Sequence, residues 1–131
     1  MTGSRELAVA AARAAADKQA EHIVILDVRE LIVITDHFVI ASGATDRQVN
    51  AIVDGIEEEL RGLGVKPVRR EGRREGRWVL LDFIDIVCHV FHVEEREYYD
   101  LERLWKDAPR VPWEEGSEEA APSEARPASG S

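Results

Sequence analysis

The sequence predicts an α/β domain, a mixed β-sheet packed with helices on at least one face. Three observations lead there. Stretches of helical and strand-like spacing follow one another in the order helix, two strands, helix, three strands, helix, an alternation that layered α/β architectures produce. From residue 45 a helix start signal is followed by apolar residues recurring every three or four positions. The run WVLLDFIDIVCHVFH (78–92), by contrast, holds two strand lengths rich in Val, Ile, Leu and Phe.

Taken in order, residues 4–20 favour helix through their alanine content, with Ser4 as a candidate N-cap and Leu7, Ala10, Ala11 and Ala14 on one side. HIVILDV (22–28) reads as a strand, Thr35 and Asp36 punctuate the chain, and HFVIAS (37–42) reads as a second strand. Gly43 marks a turn, and Thr45-Asp46-Arg47-Gln48 has the form of a capping box, in which side chains satisfy the orphan amides of a helix start. The helix that follows aligns Val49, Ile52, Val53, Ile56, Leu60 and Leu63, sets Asp54, Glu57, Glu58 and Arg61 toward water, and ends at Gly64. VKPV (65–68) reads as a strand, and the basic stretch with Gly72 and Gly76 as a mobile loop. Tyr98, Leu101, Leu104 and Trp105 then recur at helical spacing before Pro109 and Pro112 stop the element.

At 131 residues and 44% hydrophobic content, the chain fits one domain able to bury a core. No run of eighteen apolar residues occurs, so a soluble, cytoplasmic protein is expected. Cys88 is the single cysteine, which excludes an intrachain disulfide and a four-thiolate zinc site. A net charge of −9 argues against general electrostatic binding to nucleic acid or anionic membrane and suits a basic protein partner. Charge is uneven. The stretch 66–77 has six basic residues and two Glu, whereas 114–131 has five Glu and one Arg and lacks any aliphatic residue larger than Ala. Residues 1–113 are therefore expected to fold and 114–131 to form a disordered acidic tail.

The polar residues inside 80–92 raise the functional question, because unpaired polar groups are costly to bury. An antiparallel hairpin around Ile84-Asp85 pairs Phe83 with Ile86, Leu81 with Cys88 and Val79 with Val90. One face then holds Val79, Leu81, Phe83, Ile86, Cys88 and Val90 and belongs on the core. The other holds Trp78, Leu80, Asp82, Val87, His89 and Phe91, with Asp82 diagonal to His89. That mixture fits a docking surface with an aromatic anchor, or else an acid–imidazole couple that fixes sheet register.

Other chemistry fits less well. Cys88, His89 and His92 suggest a metal, yet Cys88 and His89 point to opposite faces of a strand and no further ligand cluster completes the set. The same geometry separates a thiol nucleophile from its base. ASGATDRQ (41–48) places a helix start after a strand but lacks a phosphate-binding glycine pattern. Asp82 and Asp85 are not spaced to hold Mg²⁺ from one strand face. No catalytic residue, metal or cofactor is expected. Arg69, Arg70, Arg73, Arg74 and Arg77 read as a solvated loop or as a local contact to RNA phosphates beside a protein interface.

Three blocks, ITDHFVIASGATDRQVNAI (34–52), WVLLDFIDIVCHVF (78–91) and REYYDLERLW (96–105), together resemble the ribosomal silencing factor family, also called Iojap-like proteins. The resemblance spans about residues 5–113. Family members usually have Gly at the hairpin turn, where this chain has Ile84, and Val where it has Cys88. The resemblance implies a nucleotidyltransferase-like fold without catalytic acids. It also implies binding to the large ribosomal subunit through its fourteenth protein, which blocks joining of the small subunit by steric competition, and self-association as a homodimer. Mapped onto this sequence, the expected partner surface is Trp78, Leu80, Asp82, His89 and Phe91, with Glu94, Glu95 and Glu97 pairing with basic residues of the partner. Rival readings are a nucleotide-binding or nucleotidyltransferase enzyme and a large-subunit assembly factor. A thermal shift with ATP and Mg²⁺ distinguishes the first, and selective binding to immature subunits the second.

Overall fold

The structure, a computed structural model, describes residues 3–73 and 75–114, with the backbone alone at 97–99. The proposed acidic tail from residue 115, Arg74, and the side chains of Glu97, Tyr98 and Tyr99 lie outside what is described. Among the described residues the elements run α1 (Ser4–Asp17), β1 (Glu21–Asp27), β2 (His37–Gly43), α2 (Asp46–Gly62), β3 (Arg69–Glu71), β4 (Trp78–Asp82), β5 (Ile86–His92), α3 (Val93–Tyr99) and α4 (Leu101–Leu104). The sheet order is β1-β2-β5-β4-β3. β2 and β5 run parallel at its centre, and every other pair is antiparallel. The expected mixed sheet with helices is thus the observed one.

α1 and α2 lie together on one face. Leu7, Ala8, Ala11, Ala12 and Ala15 of α1 and Val49, Ile52, Val53, Ile56 and Leu60 of α2 bury against Ile25, Val39, Val79, Leu81, Ile86, Cys88 and Val90 of the strands. Alanine lets α1 approach its neighbours closely, and each large side chain fully buried here contributes about 1.5–3 kcal/mol. The start of α2 follows the capping pattern read from sequence. Thr45 Oγ1 accepts from Gln48 N at 3.0 Å, while Gln48 Oε1 accepts from the Ala44 amide at 2.7 Å rather than from that of Thr45. Gln48 Nε2 also donates to the Lys18 and Gln19 carbonyls, which fastens the two helices. Gly64, at φ +84°, follows α2 in a conformation that glycine adopts without strain.

Several local expectations shift. Gly3 rather than Ser4 is the N-cap of α1, with Glu6 Oε1 accepting from the Gly3 amide. Leu63 is largely exposed, and Glu57, expected in water, is buried. The third strand falls at Arg69–Glu71 and not at VKPV, because the ladder partners on β4, Leu80 to Asp82, lie opposite these residues. The last helix is two short ones: Asp100 sits at φ +45° between α3 and α4, and its side chain accepts from the Arg103 amide.

A second cluster fills the opposite face over β1 and β2. Val24, Leu26, Val28, Phe38 and Ile40 meet Leu101, Trp105 and Ala108. Segment 109–111 runs along the edge of β1, where Asp27 N donates to Pro109 O and Val111 N to Ile25 O. Among the described residues this outer face is therefore covered above β1, β2 and β5, and its half-open part lies along β4.

Candidate functional site

The hairpin has the register that alternation required: Val79 faces Val90, Leu81 faces Cys88, and Phe83 N donates to Ile86 O at 2.9 Å. Cys88 lies in the helix-side core, where burial pushes its thiol well above the ordinary range and keeps it protonated. Trp78, Leu80, Asp82, Val87, His89 and Phe91 share the outer face. Trp78, Leu80 and Asp82 are half-buried, but His89 and Phe91 are covered, which corrects the expectation that all of them present themselves to a partner.

They are covered by aromatic neighbours. Trp78 stacks on Phe91 with ring centroids 4.9 Å apart, and its Nε1 donates to His89 Nδ1 at 3.2 Å. His89 meets Phe38 edge-on at 5.0 Å, and Phe38 meets Trp105 edge-on at 5.5 Å. The partner of His89 is thus the Trp78 indole and not Asp82. Asp82 Oδ1 accepts from the Ile84 amide at 2.8 Å inside the turn, and its Oδ2 lies 3.7 Å from Arg69. Burial lowers the His89 pKa from 6.5 to about 4, so the ring is neutral at pH 7. With Nδ1 accepting, the ring proton is assigned to Nε2, which is buried without a partner. His89 therefore acts here as an acceptor that orients an indole, not as an acid or a base.

The acidic residues after β5 gather on Arg77, the residue before Trp78. His92 Nδ1 accepts from the Glu94 amide at the start of α3. Arg77 donates to Glu94 Oε1 at 2.9 Å and to Glu95 Oε2 at 3.1 Å, and the Arg77 hydrogen bond holds the Glu94 carboxyl below the ordinary range. Glu94 remains exposed.

The arginine stretch is engaged within the chain rather than simply solvated. Arg70 forks onto buried Glu57 through Nε at 2.7 Å and a terminal nitrogen at 2.9 Å. Arg73 pairs with Asp54, Arg69 with Glu71 and Asp82, and Arg77 reaches toward Asp46 as well. The contacts of Arg70, Arg73 and Arg77 fasten this segment to α2, a role the sequence reading missed because Glu57, Asp54 and Asp46 lie far away in the chain.

Sequence reasoning also missed a cleft of about 510 Å³ beside the C-terminal ends of β2 and β5. Arg96 is buried at its wall, donates to Ser42 Oγ at 2.7 Å and to Glu102 Oε1 at 3.0 Å, and so ties α3 to both β2 and α4. Glu21, Glu94, Asp100 and Glu102 line it, so its polarity opposes a nucleotide phosphate. What the arrangement offers is recognition: a fixed indole beside an aliphatic strand and exposed carboxylates.

Comparison with known proteins follows the same line. Residues 2–131 match the sequence profile of the family described as ribosomal silencing factor during starvation. Ribosomal silencing factor RsfS of Bacillus subtilis is 46% identical over 99 residues, covering 76% of this chain and 84% of that protein. The RsfS of Halalkalibacterium halodurans is 43% identical over 108 residues, covering 82% and 92%. A crystal structure of a Chromobacterium violaceum protein superposes with a TM-score of 0.78 at 34% identity, covering 80% of this chain and 88% of that one. The resemblance read from three sequence blocks thus extends over the whole fold, and the chain belongs to the ribosomal silencing factor family.

Proposed function

We propose that this protein is a ribosome-associated translation regulator that docks on the large ribosomal subunit through that subunit's fourteenth protein and blocks joining of the small subunit by occupying its place. The observation that carries the reading is the half-open strip along β4. Trp78 stands half-open there, held by His89 and Phe91, with Leu80 and Asp82 beside it and exposed Glu94 nearby. A rigid, amphipathic aromatic anchor with a polar rim is what a specific interface is built around. The partner-binding set is thus Trp78, Leu80, Asp82, Glu94 and Glu95 at the surface, with His89 and Phe91 supporting from below and Glu97 as a further member of the set.

The reading includes a nucleotidyltransferase-like fold used without catalysis, a cytoplasmic location, and a homodimer away from the ribosome. Contact to ribosomal RNA through Arg69, Arg70, Arg73 and Arg74 is its lesser part, since the described arginines are already engaged by Glu57, Asp54, Glu71 and Asp82. The test is a joining assay. Purified full-length protein is bound to large subunits, small subunits are added, and joined ribosomes are separated by sedimentation. The expected result is loss of joined particles in proportion to occupancy; undiminished joining at full occupancy refutes silencing by steric exclusion.

A further inference from the structure

We propose that the loop between β1 and β2, together with Ile84 at the hairpin turn, is a second docking surface, which receives an apolar, basic-rimmed protein surface of the large ribosomal subunit. The inference rests on the function proposed above and extends its contact area beyond the Trp78 strip.

Four apolar side chains gather at this end of the sheet without cover from the described residues. Val33 is 99% exposed, Ile34 77%, Ile84 58% and Leu31 45%. They do not belong to a slack segment. Val28 N donates to Asp36 O at 2.9 Å and closes the base of the loop; Leu31 N and Ile32 N both donate to Val28 O at 3.0 Å. Asp36 N donates to Asp85 O at 3.0 Å, which fastens the loop to the hairpin turn that carries Ile84. Ile32 tucks into the same outer-face cluster as Trp78 and Leu80, so the loop stands on their side of the sheet. Ile84 in turn lies two residues beyond Asp82. The exposed aliphatic tips therefore lie at the turn end of the β4 strip that carries Trp78 at its other end, and exposed apolar side chains on an anchored loop mark an interaction site.

Charge selects the occupant. Glu30, Asp36 and Asp85 surround the tips. Arg29 is closed onto Asp27 by bonds of 3.0 and 2.7 Å, Arg69 is drawn onto Glu71 and Asp82, and Arg5 at the start of α1 is a further cation, near His37. A second copy of this chain would set one acidic rim against another. Nucleic acid would bring phosphates toward carboxylates and offer nothing to the aliphatic tips. A ribosomal protein surface that is basic at its rim and apolar at its centre satisfies both features.

The experiment titrates full-length protein against purified large ribosomal subunits, read by co-sedimentation, for the unaltered chain, Trp78→Ala, the double variant Val33→Ser/Ile34→Ser, and Ile84→Gly. Circular dichroism melts verify folding, and sedimentation velocity reports the oligomeric state of each. The double variant is expected to melt like the parent and bind about tenfold more weakly, with a smaller loss for Ile84→Gly. Parental affinity in both loop-region variants beside a weakened Trp78→Ala overturns the second surface and leaves the first standing. A double variant that loses self-association yet keeps its large-subunit affinity assigns the loop to a second copy and likewise overturns the proposal. Failure of the unaltered chain to bind large subunits refutes the underlying function and the inference with it.

Discussion

The indole of Trp78 donates to Nδ1 of His89 across 3.2 Å, from one strand of the hairpin to the other. His89 is thereby committed as an acceptor while it meets Phe38 edge-on and stacks against Phe91. One buried neutral imidazole thus sets the orientation of the half-open indole along β4. An anchor ordered before contact loses less conformational freedom on binding, so the pair links sheet packing to recognition.

Acid should weaken the fold through His89. Its pKa is held at about 4 in the folded chain against 6.5 when unfolded, so the unfolded state binds the proton first. The stabilisation is fully present above pH 6.5 and is lost as pH falls toward 4, by about 3 kcal/mol in all. Burial lowers the His37 pKa too and adds in the same direction. Urea unfolding at pH 7, 6, 5 and 4.5 measures the slope. His89→Gln, which keeps an acceptor for the indole but cannot titrate, should flatten it; an unchanged slope would exonerate His89.

Trp78→Ala should fold and bind large subunits about thirtyfold more weakly, a loss of about 2 kcal/mol typical of an aromatic anchor. The residue is half-buried, so truncation also uncovers Phe91 and some stability is lost. Co-sedimentation of a variant shown to be folded separates the two effects. Retained affinity would remove Trp78 from the site.

How far the sequence reached is clearest in this hairpin. Alternation fixes which side chains share a face, and a two-residue turn fixes which residues lie opposite; hence Val79–Val90 and Leu81–Cys88 were legible, as was the apolar stripe of α2. The partner of His89 was not, because an acid and an aromatic both lay within reach diagonally and alternation does not choose between them. The spacing of Leu101 and Trp105 marked a packing face but did not show that it covers Phe38, and Leu104 of the same spacing stays exposed. The pairings of Arg70 with Glu57 and of Arg96 with Ser42 were hidden because distant packing leaves no local pattern. Family kinship was legible because three separated blocks carry side chains that no periodicity demands.

Ile84→Gly should stabilise the protein by about 0.5–1 kcal/mol. Ile84 sits at φ +76° and is bridged by an Asp85 N to Phe83 O bond of 2.9 Å, a γ-turn whose centre is strained for a β-branched residue. Glycine removes the strain, and the greater freedom of its unfolded chain offsets part of the gain. The side chain is mostly exposed, so little burial is forfeited. Equilibrium unfolding checks the sign; a less stable variant would show that the turn relies on contacts of the isoleucine.

Gly72→Ala should do the opposite, and severely. Gly72 sits at φ +82°, in the bend that brings the arginine segment back along β4, and a Cβ there would overlap the carbonyl oxygen of Trp78. Backbone cannot swing aside as a flexible side chain can, so either β3 separates from β4 or the start of β4 moves. A residue other than glycine already costs about 1 kcal/mol at such a φ, and the overlap adds to it, giving an expected loss of more than about 2 kcal/mol. The damage should be local as well as global, because the displaced carbonyl belongs to Trp78. Near-ultraviolet circular dichroism, which senses indole surroundings, should change along with the urea midpoint. A variant with the parent's midpoint and near-ultraviolet spectrum would show that the chain has room at this bend which the structure denies.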